Sequence, residues 1–207
     1  MIEIIATNES KPRELIPQGN YIGRCVNMVY IGTIDGKFGK TKKVRLTWEL
    51  PTQLKEYKEG EGEKPAFISK EYNLSLNPKS NLYMDLVSWR GMAFTEDESK
   101  AFNIVNVLGA PCMVNVIHTA SKSDASKMYE DISSITPIPQ GLSVPDQISP
   151  SVAFSVDKFD QKVFDDLPEF VQNKIKESQE YKAMKDETPQ SQGNDAGSTE
   201  SEEDLPF

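Results

Sequence analysis

The chain has 207 residues, 37% of them apolar, and a mean hydropathy of −0.52, which predicts one good-sized domain with part of the length left disordered. No apolar stretch approaches the roughly 18 residues of a membrane-spanning helix, and two cysteines, Cys25 and Cys112, cannot build a disulfide framework. The net charge of −9 is unevenly placed: residues 1–140 carry 17 Lys and Arg against 17 Asp and Glu, and residues 141–207 carry 6 against 15. A neutral body with an acidic C-terminal third does not exclude nucleic-acid binding by the body.

Residues 1–20 read as a lead-in ending in the turn Pro17-Gln18-Gly19-Asn20. The start, Met1-Ile2-Glu3-Ile4-Ile5, lacks the basic residues and long apolar run of a signal peptide, so a cytoplasmic protein is expected. A first strand is predicted at about Tyr21–Ile31, with Ile22, Val26, Met28 and Tyr30 on one face and Cys25, Val29 and Ile31 on the other. Apolar residues on both faces predict a central strand, with both cysteines as buried small hydrophobes. Asp35-Gly36 signals a hairpin. The second strand, about Phe38–Leu50, alternates cleanly, with Val44, Leu46, Trp48 and Leu50 inward and Lys43, Arg45, Thr47 and Glu49 outward.

Pro51–Pro65 shows no period and reads as a charged loop. A third strand follows at about Ala66–Leu76, with Ile68, Lys70, Tyr72, Leu74 and Leu76 on one side. Leu82, Leu86 and Trp89 then fall at helical spacing. Thr95 and Glu98 form a capping-box signature before Phe102, Val105 and Leu108, and Gly109 ends that run. Further strands are expected at about Cys112–His118 and Lys127–Ile135. Gly141–Pro150 reads as linker, and Asp166–Met184 as a helix whose Leu167, Val171 and Ile175 dock on the body rather than forming a dimer seam.

Three strands, a helical insert and two further strands match the plan of an oligonucleotide/oligosaccharide-binding (OB) barrel. The expected fold is therefore mainly β: an OB-like five-stranded barrel over 21–140 with helices between strands 3 and 4. A linker and helix occupy 141–185, and 186–207 is a disordered acidic tail. Between Gly36 and Thr47 stand Lys37, Lys40, Lys42, Lys43 and Arg45 with no acid among them, and Phe38 beside them. Cations on one face neutralise phosphates and aromatic rings stack bases. In an OB barrel this run covers the first hairpin loop and the outward face of strand 2. Lys122, Lys127 and Tyr129 line the opposing loop, with Lys70 and Tyr72 on strand 3.

The tail 186–207 holds seven acids and no base, and ends Glu202-Glu203-Asp204-Leu205-Pro206-Phe207. An acidic tip closed by Leu-Pro-Phe resembles the partner-recruiting tail of bacterial and phage single-stranded DNA-binding proteins. The resemblance implies a protein that coats single-stranded DNA in replication, recombination or repair, acting in the host cytoplasm if phage-encoded. Glu202, Glu203, Asp204, Leu205, Pro206 and Phe207 would recruit enzymes of DNA metabolism, and no cofactor is implied. Familiar bacterial members carry a long Gly/Gln-rich linker where this chain has a charged helix, so a monomer or homodimer is expected in place of their tetramer.

Other readings remain at this stage. An acidic protein that mimics DNA would place its acids on the folded body, which is neutral here, and an annealing mediator would share the same DNA surface. Catalytic signals are weak. The lone His118 follows Val114 and Val116 in a strand and reads as structural, while three Cys and His residues fall short of a zinc site. Gly36-Lys37-Phe38-Gly39-Lys40-Thr41 lacks the glycine spacing of a phosphate-binding loop. No enzymatic activity is expected.

Overall fold

The computed structural model describes residues 14–36, 39–57, 60–121, 124 and 127–186. In chain order they form β1 (Gly19–Gly36), β2 (Gly39–Glu56), β3 (Glu63–Asn73), α1 (Asn81–Arg90), α2 (Glu96–Ala101), a 3₁₀ turn (Ile104–Val107), β4 (Pro111–Ala120), β5 (Met128–Thr136), β6 (Val152–Ser155), α3 (Gln161–Asp165), α4 (Glu169–Lys176) and α5 (Gln179–Asp186). Five strands lie in the order β3-β2-β1-β4-β5 through antiparallel ladders. The sixth strand, which the sequence pattern did not announce, runs parallel to Asn27–Tyr30 of β1.

The sheet is open. Among the described residues no backbone ladder joins its outer strands β3 and β5. A side chain spans the gap instead, where Lys70 Nζ on β3 donates to the Ile132 carbonyl on β5 at 3.2 Å. The closed five-stranded barrel expected from the strand count is thus replaced by an open six-stranded sheet.

The main core lies on one side of this sheet. Val44, Leu46, Trp48 and Leu50 of β2 all enter it, as their alternation requires, and meet Ile68 and Tyr72 of β3, Val114 and Val116 of β4, and Ile135 of β5. Fully burying each large aliphatic side chain contributes about 1.5–3 kcal/mol. Leu82, Leu86 and Trp89 cover the core from α1, with the Trp48 and Trp89 ring centroids 5.9 Å apart. Helix α1 begins where the Ser80 hydroxyl accepts the Tyr83 N–H, and stops at Gly91, whose φ of +70° suits a residue without Cβ. The Thr95–Glu98 capping box forms. Its helix nonetheless ends at Ala101, because the Asn103 side chain accepts the Val105 N–H and starts a separate 3₁₀ turn. Val107 is buried there, and the expected stripe residue Val105 is exposed.

Strand β1 is central and buries both faces, but strict alternation misassigns them. Register shifts between Cys25 and Asn27 and between Tyr30 and Gly32 bring Cys25 and Met28 together into the main core, while Val29 and Ile31 enter a second core on the other side. Both thiols are buried, and burial pushes the Cys25 pKa up to about 12. Pro51–Pro65 also departs from expectation, since β2 continues to Glu56 and pairs with Glu63–Pro65 beyond a shift between Leu50 and Leu54. An exposed ladder needs no hydrophobic period.

The second core belongs to the C-terminal segment. Phe154, Val156, Phe164, Leu167, Val171 and Ile175 pack on Val29 and Ile31, so the Leu167–Val171–Ile175 stripe docks on the body. The single helix expected over 166–184 is divided, because the buried Ser178 hydroxyl donates to the Ile175 carbonyl and accepts the Tyr181 N–H. The stretch 141–150 is a strap fastened to the sheet. Glu49, fully buried, accepts the Ile148 N–H at 2.7 Å and the Ser149 N–H at 2.9 Å. Arg24 donates to the carbonyls of Pro145 at 2.9 Å and Gly109 at 3.0 Å.

Candidate nucleic-acid interface

Strand β2 carries the cations that the sequence singles out. Lys40 and Lys42 are exposed, facing Asp35 and Thr33 across the β1–β2 ladder. Lys43 Nζ donates to Asn73 Oδ1 at 2.7 Å. The guanidinium of Arg45 lies 4.9 Å from the centroid of the Phe170 ring on α4. Burial lowers the Arg45 pKa, an effect that nearby Glu71 partly offsets, and a guanidinium so placed keeps its charge. Among the described residues no carboxylate lies within 4 Å of these four side chains, as is also true of Lys79, Lys158 and several other cations, whereas Lys64, Lys70, Arg90, Lys100, Lys127 and Lys174 are each paired with an acid.

Two expected site residues belong to the core instead. Tyr72 is 2% exposed, and its hydroxyl donates to Asp85 Oδ2 at 2.8 Å. Lys70 donates to the same carboxylate oxygen at 2.8 Å. Burial and the Asp85 carboxylate raise the Tyr72 pKa far above the ordinary phenol value. This network ties β3 to α1 and leaves no stacking surface. The outward residues of β3 are those of the other phase, Phe67, Ser69 and Glu71, which the sequence reading passed over.

On the far hairpin Tyr129 is exposed, and Lys127 lies 3.5 Å from Asp124. Neither contacts the β2 cations by hydrogen bond, ion pair or ring contact among the described residues. Lys37, Phe38, Lys122 and the tip Glu202, Glu203, Asp204, Leu205, Pro206 and Phe207 lie outside the described residues. The His118 ring nitrogen Nε2 sits 2.7 Å from the Ile16 carbonyl oxygen, a tie between the chain's entry into β1 and strand β4. Among the described residues no three side chains of His, Cys, Asp or Glu gather as metal ligands, and no helix is long and apolar enough to cross a membrane.

The sheet rows explain what Arg45 faces. Val29, Arg45 and Glu71 align across β1, β2 and β3, and Asn27, Thr47 and Ser69 form the next row. The Thr47 and Ser69 hydroxyls are 2.9 Å apart. Above these rows the strap and α4 enclose a groove of about 430 Å³, with Phe67, Phe170 and Val171 among its lining residues. Phe67 continues into Tyr57, with ring centroids 6.2 Å apart. Phe170 was missed because it falls out of phase with the docking stripe of its helix. That same mismatch with an otherwise buried face is the signal that could have found it. Compared with known proteins, the chain matches no family model and no curated protein.

Proposed function

We propose that the protein binds single-stranded DNA without sequence preference and recruits enzymes of DNA metabolism through its C-terminal tip. The observation that carries this reading is the clustering of Lys40, Lys42, Lys43 and Arg45 within six residues of β2, with no carboxylate within 4 Å of them among the described residues. Lys43 and Arg45 point outward and Lys40 and Lys42 extend from the opposite phase at the hairpin end of the strand; cations so grouped attract a polyphosphate, and binding releases its condensed counterions. The exposed rings of Phe170, 4.9 Å from Arg45, and of Phe67 and Tyr57 offer stacking surface to unpaired bases.

The strand order β3-β2-β1-β4-β5, with α1 and α2 between β3 and β4, supports reading the body as an OB-type fold whose β3–β5 seam is bridged by Lys70. On that reading the outward side of β2 and β3 is the binding surface. The acidic run ending in Leu205-Pro206-Phe207 supplies a short anchor for a partner with a basic, apolar-floored pocket. Competition between labelled oligo-dT and unlabelled duplex of equal length tests the DNA reading. Preferential displacement by single strands supports it, and equal displacement by duplex contradicts it. Deleting Phe207 should abolish capture of purified replication or recombination enzymes and leave oligo-dT affinity unchanged.

A further inference from the structure

We propose that the groove between the β2–β3 face and α4 is a subsite for one unpaired nucleotide, with Phe67 and Phe170 as its aromatic surfaces and Arg45 as its polar contact. The segment 141–186 would then be part of the DNA-binding site and not a tether for the tail. This deepens the single-strand reading above and rests on it.

Three features of the groove lie outside both hydrophobic cores. Phe170 is 52% exposed on a helix already docked through Leu167, Val171 and Ile175, so its ring adds little to the second core. Phe67 is 37% exposed on a strand whose inward neighbours Ala66 and Ile68 fill the main core. Arg45 is half-buried, and among the described residues its guanidinium stands over the Phe170 ring, feels the charge of nearby Glu71, and makes no hydrogen bond to a protein acceptor. A guanidinium presents five donors, and those of Arg45 are not among the buried unpartnered atoms, so they are open to solvent and free to meet the acceptors of a ligand. Asn27 Oδ1, on the row beneath, is buried without a partner.

A ligand that fits these groups offers acceptors to a planar cation and a flat face to aromatic rings. A nucleotide has both, in its base edge or phosphate and in its base. A volume of about 430 Å³ falls within the roughly 300–1,000 Å³ of small-ligand sites. Base pairing and stacking in a duplex hide the base faces that the rings need, so only an unpaired nucleotide qualifies. The acidic side chain in the aligned row, Glu71, is engaged by Lys174, which leaves Arg45 available.

Titration of labelled oligo-dT with Phe170→Ala, Phe67→Ala, Arg45→Ala and Arg45→Lys tests the proposal, with Met84→Ala on the far side of the sheet as control. Each aromatic loss should weaken binding roughly 5- to 100-fold, the range of one base–ring stack. Arg45→Ala should also flatten the salt dependence by about 0.7, and Arg45→Lys should keep that slope while losing affinity. Phe170→Tyr should bind as the natural chain does. Because an alanine variant can also disturb α4, oligonucleotide bearing 5-iododeoxyuridine should photocross-link to Phe67 or Phe170 in the unaltered protein. If the natural chain binds oligo-dT but the groove variants bind equally well and no cross-link reaches either ring, the subsite is overturned and the single-strand reading stands. If the natural chain does not bind oligo-dT, both fall.

Discussion

Glu49 should hold the C-terminal segment to the sheet. Its carboxylate is fully buried and accepts the Ile148 and Ser149 N–H groups at 2.7 and 2.9 Å. Hydrogen bonds to a charged group contribute about 1.5–3 kcal/mol each, and a buried donor left without a partner costs a similar amount. Glu49→Leu removes both acceptors and should cost about 3–5 kcal/mol, up to the free energy with which the strap docks. Glu49→Gln keeps one acceptor and turns an amide donor toward the second N–H, for a loss of about 2 kcal/mol. In a domain of this size that lowers Tm by roughly 4–8 °C. Thermal unfolding gives the total, and hydrogen exchange separates local release from global loss. The Ile148 and Ser149 amides should exchange faster in both variants while those of Val114 and Val116 in the main core stay protected. An unchanged Tm for Glu49→Gln with unchanged exchange at Ile148 and Ser149 would refute the strap argument.

Gly32→Ala should destabilise the protein by roughly 2–4 kcal/mol in urea unfolding, because φ there is +106° and an added Cβ would stand 2.7 Å from Ser178 Cβ. A variant as stable as the natural chain would mean that α5 does not seat against β1. Glu180 on α5 should make that seating acid-sensitive. Burial alone would raise its pKa, but the Thr33 hydroxyl and N–H and the Tyr30 hydroxyl outweigh it and hold the carboxyl below its ordinary value of 4.5. A depressed folded pKa gives stability that is present above the unfolded value and lost as pH falls through the folded one. Chemical unfolding between pH 6 and pH 3, in the natural chain and in Glu180→Gln, should show a loss in the former that the variant lacks.

How much of this was legible depended on whether a residue's environment is local. The β2 alternation is plain because one face meets a continuous core, so Val44 through Leu50 repeat every second residue. The β1 faces are scrambled by two register shifts that residue type does not mark, and Cys25 joins Met28 for that reason. Lys70 and Tyr72 share the inward phase of β3, and only the position of Asp85 on α1 explains why a lysine is tolerated there. The strap looked like linker because its anchors, Arg24 and Glu49, lie about a hundred residues earlier and read as solvated charges on a strand. Phe67 and Phe170 break the phase of their own elements. A ring out of phase with a buried stripe marks surface outside the cores.

The β2 cations should bind a single-stranded polyphosphate. The most direct measurement is oligo-dT affinity as a function of salt for the natural chain and for the Lys42→Ala, Lys43→Ala, Arg45→Ala triple variant. The expected result is a steep log–log slope in the natural chain, flattened in the variant by about 0.7 per lost phosphate contact and so by about 2 in total. An identical slope in the two proteins would contradict the claim.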